Sequence, residues 1–285
     1  KYKHRIAVAG THGKSTTTAM IGAVLVASGL NPTVHNGARP NLVIGGKDFF
    51  VTEACEFKRS FLALNPTVAV VTNIDADHLD CYRDIDEIRE TFAKFTGKAT
   101  KVITHDSDDM AVELSIPGAH NVGNAALAVK VGLHFGIPID TIKAALKAFG
   151  GVERRFQTIG KVGSAQVIVD YAHHPTEIET TIQTAQSIYG DKFLVVFQPH
   201  TYTRTIALFD DFVATLKKCD CVMYKTFSAR EKPMRGGDAS DLATTLGVEY
   251  FDVKKSLQNY IKKVSKNYKA IILTGAGDIN KVLSY

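Results

Sequence analysis

Gly13, Lys14 and Ser15 stand together in the stretch "VAGTHGKSTTTAM" (residues 8–20). A glycine followed by an ammonium and a hydroxyl is the core of a phosphate-binding loop, whose usual pattern is G-x-x-x-x-G-K-[ST]. The position five before Gly13 is Val8, and the nearest upstream glycine is Gly10, so the loop is shorter than usual. A strand that feeds a glycine turn and then a helix aims backbone N–H groups at one point. The helix dipole adds partial positive charge there. In such a loop Gly10, Thr11, His12, Gly13, Lys14, Ser15 and Thr16 surround the phosphates. Lys14 reaches the β- and γ-phosphates, and the Ser15 hydroxyl ligates Mg²⁺. A bare Gly-Lys-Ser is more often an incidental turn. The strand before it, the helix after it and four hydroxyl residues from Ser15 to Thr18 favour nucleotide binding.

A phosphate loop needs oxygen ligands to hold magnesium. "VTEACE" supplies Glu53 and Glu56 at the end of an apolar run, and "TNIDADHLD" supplies Asn73, Asp77, His78 and Asp80 at the end of the next. Ligands collect at the carboxyl ends of strands in open α/β sheets. Either segment alone reads equally well as a solvated acidic loop, but both fall on the edge that carries the glycine loop. Further on, "DYAHHPTE" packs Asp170, Tyr171, His173, His174 and Glu177 into one strand-to-helix turn. "FQPHTYTRT" repeats the arrangement with His200, Tyr202 and Arg204. A single histidine at such a place is a surface residue by default; two clusters at corresponding strand ends read as a polar ligand site. "GAGDI" after the last strand is a weak glycine signal.

The elements that must position these residues alternate. "RIAVAG", "DFFVTEA", "TVAVVTNI" and "KVITHD" read as strands, the apolar runs among them suited to burial in a parallel sheet. "STTTAMIGAVLVASG" has helical spacing and a terminal glycine. "DIDEIRETFAKF", "NVGNAALAVKVGLHFG" and "IDTIKAALKAFG" are also helical. A second series starts near residue 152. Strand "AQVIVDYA" leads to helix "PTEIETTIQTAQSIYG", then strand "KFLVVFQ", helix "TIALFDDFVATLKKC" and strand "CVMYKTF". Helices "ASDLATTLG" and "VKKSLQNYIKKVSK" follow, then strand "AIILTG". Alternation of this kind predicts open parallel sheets with right-handed crossovers. The paired glycines of "FGGVERRF" mark a domain boundary. "VHNGARPNLVIGGKD" and "HDSDDMAVELSIPGAHN" pass between elements with little material, and segments are expected to be missing there.

Composition bounds the rest. An apolar fraction of 45% against 22% charged residues predicts a packed core in 285 residues, enough for two domains. A net charge of +5 without a Lys/Arg block gives no sign of a nucleic-acid partner. Four cysteines without zinc spacing point to a reduced, cytosolic setting. No apolar run approaches membrane-spanning length, and no signal peptide is expected. The chain enters a strand almost at once, as a piece of something longer would.

"GTHGKSTT", "EACE", "TNIDADHLD", "HNVGN", "GVERRF", "DYAHHPTE", "FQPHTYTRT" and "GAGDI" occur in this order. The set resembles the Mur ligases over nearly the whole chain. "DYAHHPTE" and the short "GTHGKS" loop are specific to that likeness; "GAGDI" is not. The resemblance implies an α/β protein: a P-loop ATP-binding domain with a mostly parallel sheet over residues 1–152, then a Rossmann-like α/β ligase domain over 153–285. It implies an ATP- and Mg²⁺-dependent amide-bond ligase of peptidoglycan synthesis, most like the members that join L-alanine to UDP-N-acetylmuramate through an acyl phosphate. Such an enzyme is cytoplasmic, a monomer or homodimer, with small-molecule substrates and neither nucleic acid nor membrane as partner. By the same likeness Ser15 and Glu53 ligate one Mg²⁺ and His78 a second. His120, Asn121 and Asn124 are adenine-side contacts, and Arg155 and Asp170 reach ATP from the later domain. Tyr171, His173, His200 and Arg204 form the amino-acid and acyl-phosphate site. Lys14, His78, His173 and Arg204 are the expected catalytic residues.

Three departures stand out. The N-terminal UDP-sugar domain of the family is absent from this stretch. Thr201 stands where some relatives have arginine. Ala93 stands where several have a carbamylated lysine, and Lys94 beside it would point about 100° away on a helix. Rival readings are a ligase that attaches a tripeptide to the same sugar nucleotide, a folylpolyglutamate synthase, and a nucleotide-binding module without catalysis.

Overall fold

The computed structural model describes residues 2–75 and 81–283. The chain divides into two compact units, Lys1–Glu153 and Arg154–Tyr285.

In the first unit β1 (His4–Ala9) runs into α1 (Lys14–Ala27), followed by β2 (Thr33–His35), β3 (Leu42–Val43) and β4 (Phe49–Glu53). Then come β5 (Val68–Val71), α2 (Ile85–Thr96), β6 (Lys101–Ile103), α3 (Ala119–His134) and α4 (Ile139–Lys147). The sheet order is β3-β2-β4-β1-β5-β6, parallel except for the edge strand β3. Successive strand residues face opposite sides. Ile6 and Val8 therefore pack with Met20, Ile21, Val24 and Leu25 of α1 and with α3 and α4. Ala7 and Ala9 pack on the other face with Phe61 and with Ile88, Phe92 and Phe95 of α2. The register sets Val8 beside Glu53 on one flank and Ala9 beside Val71 on the other. The loop after β1 thus emerges between the ends of β4 and β5.

The second unit holds β7 (Gln157–Val162), β8 (Ala165–Asp170), α5 (Pro175–Tyr189), β9 (Phe193–Phe197), α6 (Tyr202–Ala207) and α7 (Phe209–Leu216). After these come β10 (Cys221–Tyr224), α8 (Ala239–Leu246), β11 (Tyr250–Phe251), α9 (Lys254–Val264) and β12 (Ala270–Thr274). Its order is β11-β10-β9-β12-β8-β7, again parallel except for one edge strand, β7. Ile168, Val195 and Ile272 face α5, α7 and α8, whereas Val167, Val196 and Ile271 face α9. β12 lies between β8 and β9, with Thr274 opposite both Asp170 and Phe197. The turns after these three strands are neighbours.

Both sheets are mostly parallel, as the alternation predicts. Four strands escape that reading: β2 and β3, at the start of and within "VHNGARPNLVIGGKD", the hairpin strand β7, and β11. The single helix expected over "TIALFDDFVATLKKC" is two. Leu208, with φ −118° and ψ 24°, leaves helical geometry and separates α6 from α7.

Candidate active site

The loop between β1 and α1 is built around two glycines. Gly10 has φ +142°, and a Cβ there would lie 1.9 Å from Thr72 Oγ1. Gly13 has φ +83°, and a Cβ there would lie 2.3 Å from Asn124 Oδ1. Both positions need the absence of a side chain as well as the left-handed freedom of glycine. This is why Gly10 takes over from the missing glycine at position 8. Val8 is still strand, fully buried and paired on both sides.

Residues after β5 hold the loop from beside. His12 N–H donates to Asn73 Oδ1 at 2.8 Å. Asn73 Nδ2 and Thr72 Oγ1 donate to the His12 carbonyl at 3.0 and 2.6 Å. Thr11 Oγ1 accepts from Asp75 N–H at 2.9 Å. Gly13 is the N-cap of α1 and offers no side-chain cap to its first turn, which Lys14, Ser15 and Thr16 open. Such a terminus presents N–H groups to an anion.

Lys14 Nζ donates to the Gly10 carbonyl at 2.5 Å, the Thr11 carbonyl at 3.0 Å and Glu56 at 3.1 Å. Glu56 is buried, its side chain 4% exposed, and Lys14 is partly buried at 13%. The pair therefore holds the ammonium at the mouth of the loop with little screening. Ser15 Oγ donates to Glu53 Oε2 at 2.8 Å, and Gly37 N–H donates to the same oxygen at 2.9 Å. Asn36 Nδ2 donates to the Ser15 carbonyl at 2.9 Å. On the other flank, Thr17 Oγ1 donates to Asn124 Oδ1 at 3.2 Å and Asn124 Nδ2 to Asn121 Oδ1 at 3.3 Å. His120 is exposed in the first turn of α3. Lys14, Ser15, Glu53, Glu56, Asn73 and Asn124 thus surround one loop. Asp77, His78 and Asp80 lie outside the described residues. Among the described residues no three His, Cys, Asp or Glu side chains converge as a metal site. Ala93 and Lys94 are both on the exposed side of α2.

In the second unit Asp170 ends β8, buried, and accepts from Phe156 N–H at 2.8 Å and Ala172 N–H at 2.7 Å. Burial holds its carboxyl above the usual range, with Arg155 and the two N–H groups opposing. The guanidinium groups of Arg154 and Arg155 lie over the Tyr171 ring at 4.8 and 5.3 Å. Arg154 Nη2 also donates to the carbonyls of Gly275 and Gly277, at 2.6 and 3.0 Å. His173 Nδ1 lies 3.0 Å from the Tyr171 carbonyl and 3.3 Å from Glu177 Oε2. Two acceptors on one nitrogen place the proton on Nδ1 and the lone pair on Nε2. His200 stands 5.9 Å from His173 ring to ring and stacks on Phe227. Its Nδ1 is buried without a hydrogen-bond partner among the described residues. Burial lowers the pKa of both histidines, His200 to about 4, and nearby Arg204 pushes both the same way. Both are neutral at pH 7. Arg204 Nη1 lies 3.4 Å from the His200 carbonyl. Asp170, Tyr171, His173, His200, Arg155 and Arg204 therefore stand at adjacent strand ends. His174 instead caps α5, accepting from Thr176 N–H at 3.4 Å. Asn36, Thr72, Arg154, Gln198 and Glu231 were not singled out by sequence. Of these, Thr72 inside "TNIDADHLD", Arg154 inside "GVERRF" and Gln198 inside "FQPHTYTRT" lie within quoted motifs.

The Mur ligase middle domain profile matches residues 8–107, and the Mur ligase glutamate ligase domain profile matches 154–277. The UDP-N-acetylmuramate–L-alanine ligase of Geotalea uraniireducens is 36% identical, over 99% of this chain and 75% of that protein. That alignment spans 344 positions against 285 residues, so roughly sixty positions face gaps in this chain. The crystal structure of the UDP-N-acetylmuramate–alanine ligase MurC of Thermotoga maritima matches with a TM-score of 0.80 at 28% identity, over 98% of this chain and 74% of that one. The murein peptide ligase of Psychrobacter arcticus shares the fold at 23% identity, with a TM-score of 0.69 over 98% and 76% of the two chains. The chain belongs to the Mur ligase family.

Proposed function

We propose that this chain joins L-alanine to the carboxylate of UDP-N-acetylmuramate at the expense of ATP. The observation that carries the reaction class is the loop from Gly10 to Ser15, where an uncapped helix terminus, the Lys14 ammonium and the Ser15–Glu53 oxygen pair meet. The substrate pair rests on relatives 36% identical that bear that name.

The N–H groups of the α1 terminus and Lys14 bind the phosphate tail and offset the charge that builds when a phosphoryl group approaches a carboxylate. Asn121 and Asn124, with His120, line the adenine side. The Ser15 hydroxyl and the Glu53 carboxylate, 2.8 Å apart, are hard oxygen donors that suit Mg²⁺. His78 is the further ligand that the family pattern supplies. An ion held by these oxygens would supply charge neutralisation at the phosphates. Transfer of the γ-phosphoryl group activates the carboxylate as an acyl phosphate and releases ADP. The amine then attacks the acyl carbon, and phosphate leaves with the bonding pair.

An amino acid reaches neutral water as an ammonium and must lose a proton before it attacks. His173, neutral and with Nε2 free as a base, takes it. Arg204 binds the amino-acid carboxylate, with Tyr171 and His200 shaping its site. Arg155 and Asp170 are the residues to which the family pattern gives a role toward the nucleotide.

The test is phosphate release by the protein at its natural length, with ATP, Mg²⁺ and UDP-N-acetylmuramate. Release that depends on L-alanine and yields the alanyl product supports the assignment. Release that depends on a tripeptide reassigns the amine, and no release with any amine leaves a binding module.

A further inference from the structure

The turn that carries His200 and Arg204 is not held by its own residues. α6 has six residues, too few to be stable alone. Its N-cap, Thr201, sits at φ 46° and ψ 173° and makes no side-chain cap. A helix that opens this way leaves its first N–H groups without acceptors. The acceptor comes from another element. Glu231, in the loop after β10, accepts from Thr203 N–H at 3.0 Å through Oε2 and from the Thr203 hydroxyl at 2.5 Å through Oε1. Burial alone would raise its pKa, but hydrogen bonds from Thr203, with Thr201 and Tyr202 beside it, together outweigh that and hold it below the usual range. It is ionised at neutral pH, as a carboxylate at a helix N-terminus should be.

The loop that delivers Glu231 is itself anchored on His200. Phe227 N–H donates to the Pro199 carbonyl at 2.9 Å, and Phe227 and His200 form a single parallel bridge. Their rings stack at 5.6 Å and 12°. Ala229, at φ 51°, then turns the chain, and Glu231 N–H closes it onto the Ser228 carbonyl at 2.9 Å. Phe227 fixes the ring of His200 from one side, and Glu231 fixes the helix that follows it from the other. Arg204 lies one turn inside that helix, with Nη1 toward the His200 carbonyl.

We propose that Glu231 is a positioning residue for the amine site: by capping α6 through Thr203 it sets where His200 and Arg204 stand. The assignment of that site to the amine rests on the function proposed above. Glu231 touches neither reacting group and acts through the first turn of α6, chiefly Thr203.

The experiment compares Glu231→Ala, Glu231→Gln and Thr203→Val, with Glu249→Ala as an exposed control elsewhere in the unit. Removing the cap should raise KM for L-alanine about tenfold and leave KM for ATP within about twofold, because only the His200–Arg204 side shifts. Glu231→Gln keeps an oxygen for Thr203 N–H and should recover most of the loss; Thr203→Val keeps that N–H and loses only the hydroxyl bond, so it should change KM in the same direction but by less. An unchanged KM for L-alanine, or an equal rise for both substrates, overturns the proposal. A second readout needs no turnover. The His200 ring Cε1–H resonance should shift in Glu231→Ala and Thr203→Val and stay put in Glu249→Ala. A fixed resonance in the first two, or the same shift in the control, overturns it. Wild-type protein with no alanine-dependent turnover would sink the functional reading, while the His200 resonance would still decide the role of Glu231.

Discussion

Lys14 and Glu56 show how one contact serves stability and chemistry at once. The partly buried ammonium lies against a buried carboxylate that is only 4% exposed. Breaking a buried pair by deleting one partner is costly, because the other charge stays behind. Lys14→Met should therefore abolish ATP turnover and also lower unfolding free energy by about 3 kcal/mol. Adding Glu56→Gln should restore most of the stability, measured by urea unfolding, without restoring turnover. Recovery of turnover in the double variant would deny Lys14 its role. Gly13 makes a second case. Gly13→Ala strains a left-handed position and drives its Cβ to within 2.3 Å of Asn124 Oδ1. It should cost about 1–2 kcal/mol and weaken ATP binding, read by calorimetry. His200 gives the pH dependence. Its folded pKa, about 4, lies below the ordinary 6.5. The unfolded chain therefore binds the proton more readily, and stability is lost as pH falls from about 6.5 toward 4. His173 shifts in the same direction. His200→Asn should flatten that part of the urea-midpoint profile relative to wild type; an identical profile would mean that His200 does not carry the loss.

The long elements were legible because their residues repeat a period. β5, β9 and β12 read as strands because parallel strands covered on both faces need unbroken apolar runs. β3 and β11 have two residues each, and β2 has three, too short for any period to register. β7 pairs antiparallel at an edge, with half of its residues exposed and none buried, so it carries no clear apolar pattern. The same distinction governs the site. Glu53, Asn73, Asp170 and His200 were readable because strand ends in parallel sheets converge on one edge. Thr72, Gln198 and Glu231 act across long sequence separations, and their residue types are ordinary for loops. Gln198, for instance, bonds Asp278 and the Ile279 N–H at 2.9 and 3.0 Å, a link between two strand ends that spacing does not encode. Helix starts are more local and so more predictable. Asp238 caps α8 by accepting from Ser240 N–H at 3.0 Å, and Asp241 reaches back to Asp238 N–H at 3.0 Å. Asp238→Ala should cost about 1 kcal/mol in urea unfolding. A loss below a few tenths would mean that water replaces the cap.

Each unit of the chain has its own sheet and its own apolar clusters on both faces of that sheet. A sheet buried on both sides leaves no face waiting for a partner layer, which is the condition for folding alone. The unit from Arg154 to Tyr285 meets it: β12, β9 and β8 are central, α5, α7 and α8 cover one side and α9 the other. Its size is also within the range in which a single core suffices. Produced by itself, this stretch should show one cooperative urea transition and a native-like near-ultraviolet signal from its tyrosines. It should bind no hydrophobic dye at neutral pH. Its histidine cluster at the ends of β8 and β9 should be intact too, since every contact described for His173 and His200 lies within residues 154–285. The His200 resonance in the isolated unit should therefore match that in the longer chain. A non-cooperative transition with dye binding would show that the unit needs the preceding residues to complete its core. A cooperative transition with a displaced His200 resonance would localise that need to the turn after β9.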